Sequence, residues 1–208
     1  MVKAYSKIML RMSVVSHFPI PKGPKIIVAN HPTTSDPFIL TSYSNGQAAI
    51  LIKNCLFDVP IFGFYLHRAG HIPVVKGEGV IAFERALYLL KKGITVIVFV
   101  EGDLSKFIHQ MSKPRTGAIR LALASGASII PMGIGVKKRH LKSLRSVIKG
   151  IEERGRWYFK GPYAITIGRA IKFNGNAGNR IRVRRLTSVL ADKISSLVKE
   201  STARVAVR

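Results

Sequence analysis

Asn30-His31-Pro32-Thr33-Thr34-Ser35-Asp36 sets an imidazole and a carboxylate with four residues between them, between an apolar run and a helix start. An aspartate that accepts a hydrogen bond from one imidazole nitrogen fixes the tautomer and raises the basicity of the other nitrogen. That second nitrogen can take the proton of a substrate hydroxyl. No Ser or Cys nucleophile is then needed, because the substrate's own oxygen attacks. The same residues also suit a polar turn in which His31 caps backbone groups. The pair alone leaves both readings open.

The neighbouring elements decide whether such a pair can be held still. Lys25 to Ala29 reads as a short β-branched strand that ends at Asn30-His31. Asp36-Pro37 marks a helix start, with Thr33, Thr34 or Ser35 as cap. Ala48 to Ile52 is a second apolar run, Pro60 to Ala69 a short helix, and Ile72 to Val75 a strand. Glu78 to Lys92 is a helix with Val80, Phe83, Leu87 and Leu90 on one face and Gly93 as its stop. Ile94 to Val100 is a strand, Arg115 to Ser125 a helix ended by Gly126, and Ser128 to Val136 a strand made irregular by Pro131. Residues 137–160 are rich in Lys and Arg with few apolar runs. Ala164 to Phe173 reads as one bent strand or a strand pair, and Arg180 to Lys199 as a helix. Alternating strands and helices predict one α/β domain, residues 21–208, with a largely parallel or mixed sheet flanked by helices. Residues 1–20 form an expected amphipathic helix: Tyr5, Ile8, Met9, Met12 and Val15 fall on one face, and Lys3, Lys7 and Arg11 on the other.

Thirty-four Lys and Arg against ten Asp and Glu give a net charge of +24, which calls for a negative partner: nucleic acid, anionic lipid or an acidic carrier. A hydrophobic fraction of 47% excludes a disordered chain. The single Cys55 can form no internal disulfide, reads as a small core hydrophobe and suits a reducing compartment. No apolar run approaches the ~20 residues of a membrane span. Lys3, Lys7 and Arg11 interrupt the first segment, and no small-residue cleavage site follows, so it does not read as a signal peptide.

The chain's motifs resemble, in order, those of the glycerolipid acyltransferases, the lysophosphatidic acid acyltransferase superfamily. Asn30-His31-x4-Asp36 is similar to the first block. Leu56-Phe57-Asp58-Val59-Pro60-Ile61-Phe62-Gly63 resembles the segment leading to the second, and Gly70-His71-Ile72-Pro73-Val74-Val75-Lys76-Gly77 the second itself. Phe99-Val100-Glu101-Gly102-Asp103-Leu104-Ser105 resembles the third, usually F-P-E-G-T-R-S. Lys113-Pro114-Arg115-Thr116-Gly117-Ala118 is similar to the basic segment after it, and Ile129-Ile130-Pro131-Met132-Gly133 to the fourth block. The resemblance implies that His31 is the general base and Asp36 its orienting partner. It implies that an acceptor hydroxyl attacks the thioester of an acyl-CoA or acyl-carrier protein, with no cofactor and no metal. Glu101 and Gly102 would shape the acceptor site. Lys76 stands where an Arg is usual and would meet the acceptor phosphate as a point charge.

The third block departs from its pattern. Val100 replaces Pro, Asp103 replaces Thr and Leu104 replaces an Arg that helps hold phosphate. Lys106, Lys113 or Arg115 would have to compensate. The implied acceptor is a lysophospholipid, with 1-acylglycerol-3-phosphate giving phosphatidic acid as the first expectation. A different lyso-lipid, an amino-acid lipid or a glycolipid would fit a weakened phosphate site. Leu56, Phe57, Ile61, Phe62, Phe64 and Tyr65 could line an acyl groove, face the membrane or fill the core. The expected place is peripheral, on the cytoplasmic face of an anionic membrane, where each basic residue adds about 1 kcal/mol of attraction. The Lys137-Lys138-Arg139 and Arg180 to Arg185 clusters suit that place. A nucleic-acid-binding protein is the main rival, with Trp157, Tyr158 and Phe159 as stacking residues. No zinc-ligand spacing, RNP-like strand or helix-turn-helix supports it, and no nucleic-acid partner is expected.

Overall fold

Lys25–Ala29 and Thr95–Phe99 are short runs rich in Val and Ile with almost every side chain buried, as strands covered on both faces must be. In the computed structural model, which describes residues 8–44 and 46–207, they lie side by side at the centre of a sheet. In chain order the elements are β1 (Ser13–Ser16), β2 (Lys25–Ala29), α1 (Asp36–Thr41), β3 (Ala48–Lys53), α2 (Phe62–Arg68), β4 (Ile72–Val74), α3 (Gly79–Lys91), β5 (Thr95–Phe99), α4 (Gly117–Ser125), β6 (Ser128–Val136), β7 (Leu141–Ile148), β8 (Ile151–Tyr158), β9 (Tyr163–Ile167) and α5 (Arg180–Ala206).

Seven strands form one sheet in the order β1-β9-β6-β2-β5-β3-β4. Every neighbouring pair is parallel except β6 and β9. The fold is thus the expected α/β domain with a mostly parallel sheet, and helices cover it. One cluster of buried residues joins α3, α4 and α5 to one face, and a second gathers α1, Leu10 and Tyr158 on the other. Pro131 does not interrupt β6, which runs unbroken beside β2 with Pro131 opposite Val28. Two glycines bring α5 close to that strand. A Cβ on Gly133 would collide with the backbone of Leu197 and Val198, and one on Gly135 with that of Ser201 and Thr202. Among the described residues no helix is long and apolar enough to cross a membrane.

Three further expectations change. The helix expected over residues 1–20 does not run through: Ser13–Ser16 is a strand, paired in parallel with β9. Val14 and Val15 are β-branched, and β9 offers unpaired backbone groups that a strand satisfies and a helix cannot. Tyr5, Lys3 and Lys7 lie outside the described residues. On α3 the buried stripe is Ala82, Ala86, Leu89 and Leu90, while Val80 is 68% exposed. Small alanines let that helix lie close to the sheet.

The third change is the basic stretch after β6, which forms a β-hairpin separate from the main sheet. Its turn is Lys149-Gly150, both with positive φ, between the paired Ile148 and Ile151. That is what a tight two-residue hairpin turn requires.

Candidate active site

The parallel strands β6, β2, β5, β3 and β4 all end on the same edge of the sheet, the edge where ligands of such folds bind. His31 follows β2 there, Glu101 follows β5, and Lys53 ends β3. The register pairs Ala29 with Phe99, so His31 and Glu101 come to stand opposite each other two residues further on.

Asp36 is fully buried. An unsatisfied carboxylate there would be costly, but every lone-pair position has a donor. His31 Nδ1–H donates to Oδ2 at 2.9 Å and the Thr33 amide donates to the same oxygen at 2.8 Å. The Thr33 hydroxyl and the Tyr163 hydroxyl, at 2.5 and 2.8 Å, donate to Oδ1. Burial first, and then the Asp36 carboxylate, pushes the Tyr163 hydroxyl well above its ordinary value, so it stays a neutral donor. The imidazole is clamped on its flat side as well: its ring stacks on Phe99 at 3.8 Å between centroids and 13° between planes. With Nδ1 tied to the carboxylate, Nε2 is the nitrogen left to exchange a proton with a ligand.

The backbone of His31 is fixed from the other side. Its amide lies 3.2 Å from Glu101 Oε1 and 3.2 Å from Ser105 Oγ, and its carbonyl accepts from the Ser105 amide at 2.8 Å. The Ser105 hydroxyl donates to Glu101 Oε1, and the Ser112 amide to Oε2 at 2.7 Å. The buried Glu101 therefore braces the loop against His31. Gly102 has φ 70° and is covered by Arg115, whose Nε donates to the Glu101 carbonyl at 3.2 Å. Asn30 holds the next strand: its amide bonds both the carbonyl and the N–H of Ile134, at 3.0 and 2.8 Å.

The structure thus brings His31, Asp36, Glu101, Gly102 and Arg115 together. Lys106 follows Ser105, with an exposed side chain and its amide on Ser112 Oγ at 3.0 Å. Lys76 lies exposed past the end of β4, three strands across from β2. Leu104 brings no charge. Asp103 does, and Lys53 meets it at 3.4 Å while also holding Glu153 at 3.1 Å. Of the apolar residues between the first two blocks, Phe57 is buried, whereas Ile61 (88%), Phe64 (71%) and Tyr65 (50%) face outward.

Sequence reasoning missed the hairpin's part in this site. The Thr34 amide donates to the Arg156 carbonyl at 2.7 Å, and the Arg156 amide returns a bond to Thr34 Oγ1 at 3.0 Å. Ser35 sits at the cap of α1, but its hydroxyl exchanges bonds with the Tyr158 backbone instead of capping the helix. Trp157 and Phe159 stack on each other, while Tyr158 points inward and is 1% exposed. Strand alternation splits the three aromatics between two faces. The signal for the hairpin was Lys149-Gly150 between two isoleucines. Nothing in the sequence shows that β8 would seat on Thr34 and Ser35. Tyr163 was equally hidden: its assignment needs the long-range contact with Asp36.

Comparison with known proteins fits this geometry. Residues 11–135 match the family model described as Acyltransferase. The chain is 26% identical over 140 residues to the chloroplastic 1-acyl-sn-glycerol-3-phosphate acyltransferase of Arabidopsis thaliana, covering 64% of this chain and 39% of that one. It is 28% identical over 117 residues to the 1-acyl-sn-glycerol-3-phosphate acyltransferase of Pseudomonas aeruginosa, covering 54% and 45%. The chain spans less than half the length of these relatives. The crystal structure of the 1-acyl-sn-glycerophosphate acyltransferase PlsC from Thermotoga maritima has the same fold, with a TM-score of 0.63 at 21% identity over 94% of this chain and 79% of that one. With more than half of its length matched to the family model, the edge of β2 and β5 included, the chain belongs to the Acyltransferase family.

Proposed function

We propose that the protein transfers a fatty acyl group from an acyl thioester to the free hydroxyl of a lysophospholipid, with 1-acylglycerol-3-phosphate as acceptor and phosphatidic acid as product. The observation that carries this reading is the His31–Asp36 pair, with Nε2 left free at the ligand-binding edge of an Acyltransferase-family fold. The names of the relatives support the acceptor class.

In the proposed reaction His31 Nε2 takes the proton as the acceptor oxygen attacks the thioester carbon. The C–S bond then breaks and the imidazolium returns that proton to the leaving thiolate. The products are an ester and a free thiol. Asp36 holds the tautomer and stabilises the transient imidazolium. Glu101 and Gly102 shape the acceptor side, and Lys76, Lys106 and Arg115 supply positive charge around it. The thiol carrier is acyl-CoA or acyl-carrier protein, and both bring negative charge to a chain of net charge +24.

We place the reaction at an anionic membrane surface. The outward-facing Ile61, Phe64 and Tyr65, together with the charge, support that placement. Ile61 is a non-glycine residue at φ 63°, a conformation that costs energy, and its side chain is left 88% exposed.

An acyl-transfer assay with both donors and a panel of lyso-lipids tests the reading. Product should form with wild type and be lost with His31→Ala. Wild-type turnover by His31→Ala would refute the mechanism. Vesicle flotation compared with duplex nucleic-acid binding at matched salt tests the membrane placement. Binding to nucleic acid and not to anionic vesicles would refute that placement.

A further inference from the structure

Arg156 is a half-buried cation that meets no counter-charge among the described residues. Among the described residues it makes no ion pair, and the acids of its own hairpin are engaged elsewhere: Glu153 by Lys53, and Glu152 by Arg145 and Arg154. Its guanidinium reaches the Ser105 carbonyl through one nitrogen, Nη2. A carbonyl is a weak partner for a partly desolvated guanidinium, and most of its N–H groups keep no protein partner. The side chain is nonetheless well aimed. Its own backbone is bonded in both directions to Thr34. The Ser105 it touches is bonded through its amide and its hydroxyl to the His31 backbone.

We infer that Arg156 forms the anion subsite of this centre and takes the phosphate of the acceptor. The inference rests on the acceptor class proposed above and adds the residue that recognises it. In a 1-acylglycerol-3-phosphate the free hydroxyl and the phosphate ester sit on adjacent carbons. A phosphate ligand must therefore stand close to the imidazole that receives the hydroxyl proton. Arg156 reaches the Ser105 carbonyl, and Ser105 is bonded to the backbone of His31, the residue that bears that imidazole. Lys76 is three strand spacings from β2, roughly 14 Å at about 4.8 Å each, and suits an outer position. Asp103, the one acid that the third block adds, is met by Lys53, which it shares with Glu153. The fork of N–H groups on arginine matches phosphate oxygens two at a time, which a lysine at the same place would not reproduce.

The test separates binding from chemistry. The full chain is titrated by calorimetry, without acyl donor, with 1-hexanoylglycerol-3-phosphate and with the phosphate-free 1-hexanoylglycerol. Wild type should bind the phosphorylated ligand at least about tenfold more tightly. Arg156→Gln should remove that preference and leave the neutral ligand's affinity unchanged, and Arg156→Lys should keep part of it. His31→Ala should keep the preference in full. A wild type without phosphate preference, or an Arg156→Gln chain that retains it, overturns the subsite. Equal weakening for both ligands in Arg156→Gln and Arg156→Lys, with unaltered melting, would make Arg156 a brace for the Thr34 loop and also overturns it. Should wild type transfer no acyl group to any acceptor, the acyl-transfer reading fails while the binding comparison still decides the role of Arg156.

Discussion

The end of β2 and the β7–β8 hairpin meet at Thr34 and Ser35, yet they are held by different forces. Around β2 the backbone is enclosed by parallel neighbours, and Ile26, Ile27, Val28 and Ala29 are fully buried. Along β7 all but the two end residues are exposed, and the hairpin pairs with no strand of the main sheet. Two isolated strands are marginal in water. This pair depends on polar attachments: Thr34 and Ser35 on β8, Lys149 to Asp58 at 2.8 Å, Lys53 to Glu153, and the buried Tyr158. Rigidity is thus concentrated where the proposed reaction would move a proton, and adaptable polar contact where the proposed subsite would tell a ligand from its analogues. The sheet edge would set the chemistry and the hairpin the choice of acceptor.

The largest expected effect breaks the sheet side alone. Asp36→Asn should lower turnover by roughly 10³–10⁴, equally for phosphorylated and neutral acceptors, because the imidazole loses its tautomer and its charge partner. Steady-state rates on both acceptors check this. A loss confined to one acceptor would break the division of labour. Tyr163→Phe is milder. It removes one of the four donors on Asp36 and should cost about 1 kcal/mol of stability, read by urea unfolding, with a several-fold fall in turnover. Thr34→Val tests the seam. It removes the acceptor for the Arg156 amide, and it should raise KM for the phosphorylated acceptor a few-fold with little change in turnover. A fall in turnover with unchanged KM would place the hairpin in the chemistry.

The smallest effect sharpens the contrast without touching the reaction. Burial holds His71, just before β4, below its ordinary value of about 6.5. His140, at the foot of the hairpin, is lowered by burial first and then by the cations Arg139, Arg11, Lys137 and Lys160. NMR titration in added salt should move His140 back toward 6.5 and leave His71 nearly in place, since salt screens charges and not desolvation. For both histidines the unfolded chain binds protons more readily than the folded one. Stability should therefore fall as pH drops from about 6.5 toward the folded values and be full above it. His71→Leu should flatten that acid-side slope in urea midpoints measured across the range.

Much of the sheet side was legible in advance because local patterns dictate it. Lys25–Ala29 and Thr95–Phe99 are apolar enough to be buried strands whatever surrounds them, and His31 and Asp36 lie within one turn of chain. What escaped were arrangements decided across long separations. The hydroxyls of Thr34 and Ser35 look like helix caps by their position, and only the arrival of β8 shows that they bind strand backbone instead. Tyr163 and Asp36 are 127 residues apart. The hairpin strands carry too few apolar residues to announce themselves, so Lys149-Gly150 was their single local mark. At the N-terminus the 3.6-residue pattern around Met9 and Met12 lost to the chance of pairing with β9, as the backbone bonds from Gly161 to Met9 and from Tyr163 to Leu10 record.

Gly133 and Gly135 have a consequence for the proposed catalysis as well as for packing. Between them stands Ile134, whose N–H and carbonyl are both gripped by the side chain of Asn30, the residue next to His31. A single methyl added at either glycine must lift α5 or bow β6, because it would meet helix backbone and not a yielding side chain. If the strand bows, Ile134 drags Asn30, and the imidazole is re-aimed. Active groups tolerate misplacement of only about 0.5 Å. The C-terminal helix is therefore in mechanical series with His31, the proposed general base, and substitutions along that remote seam would detune the proposed activity before they unfold the chain.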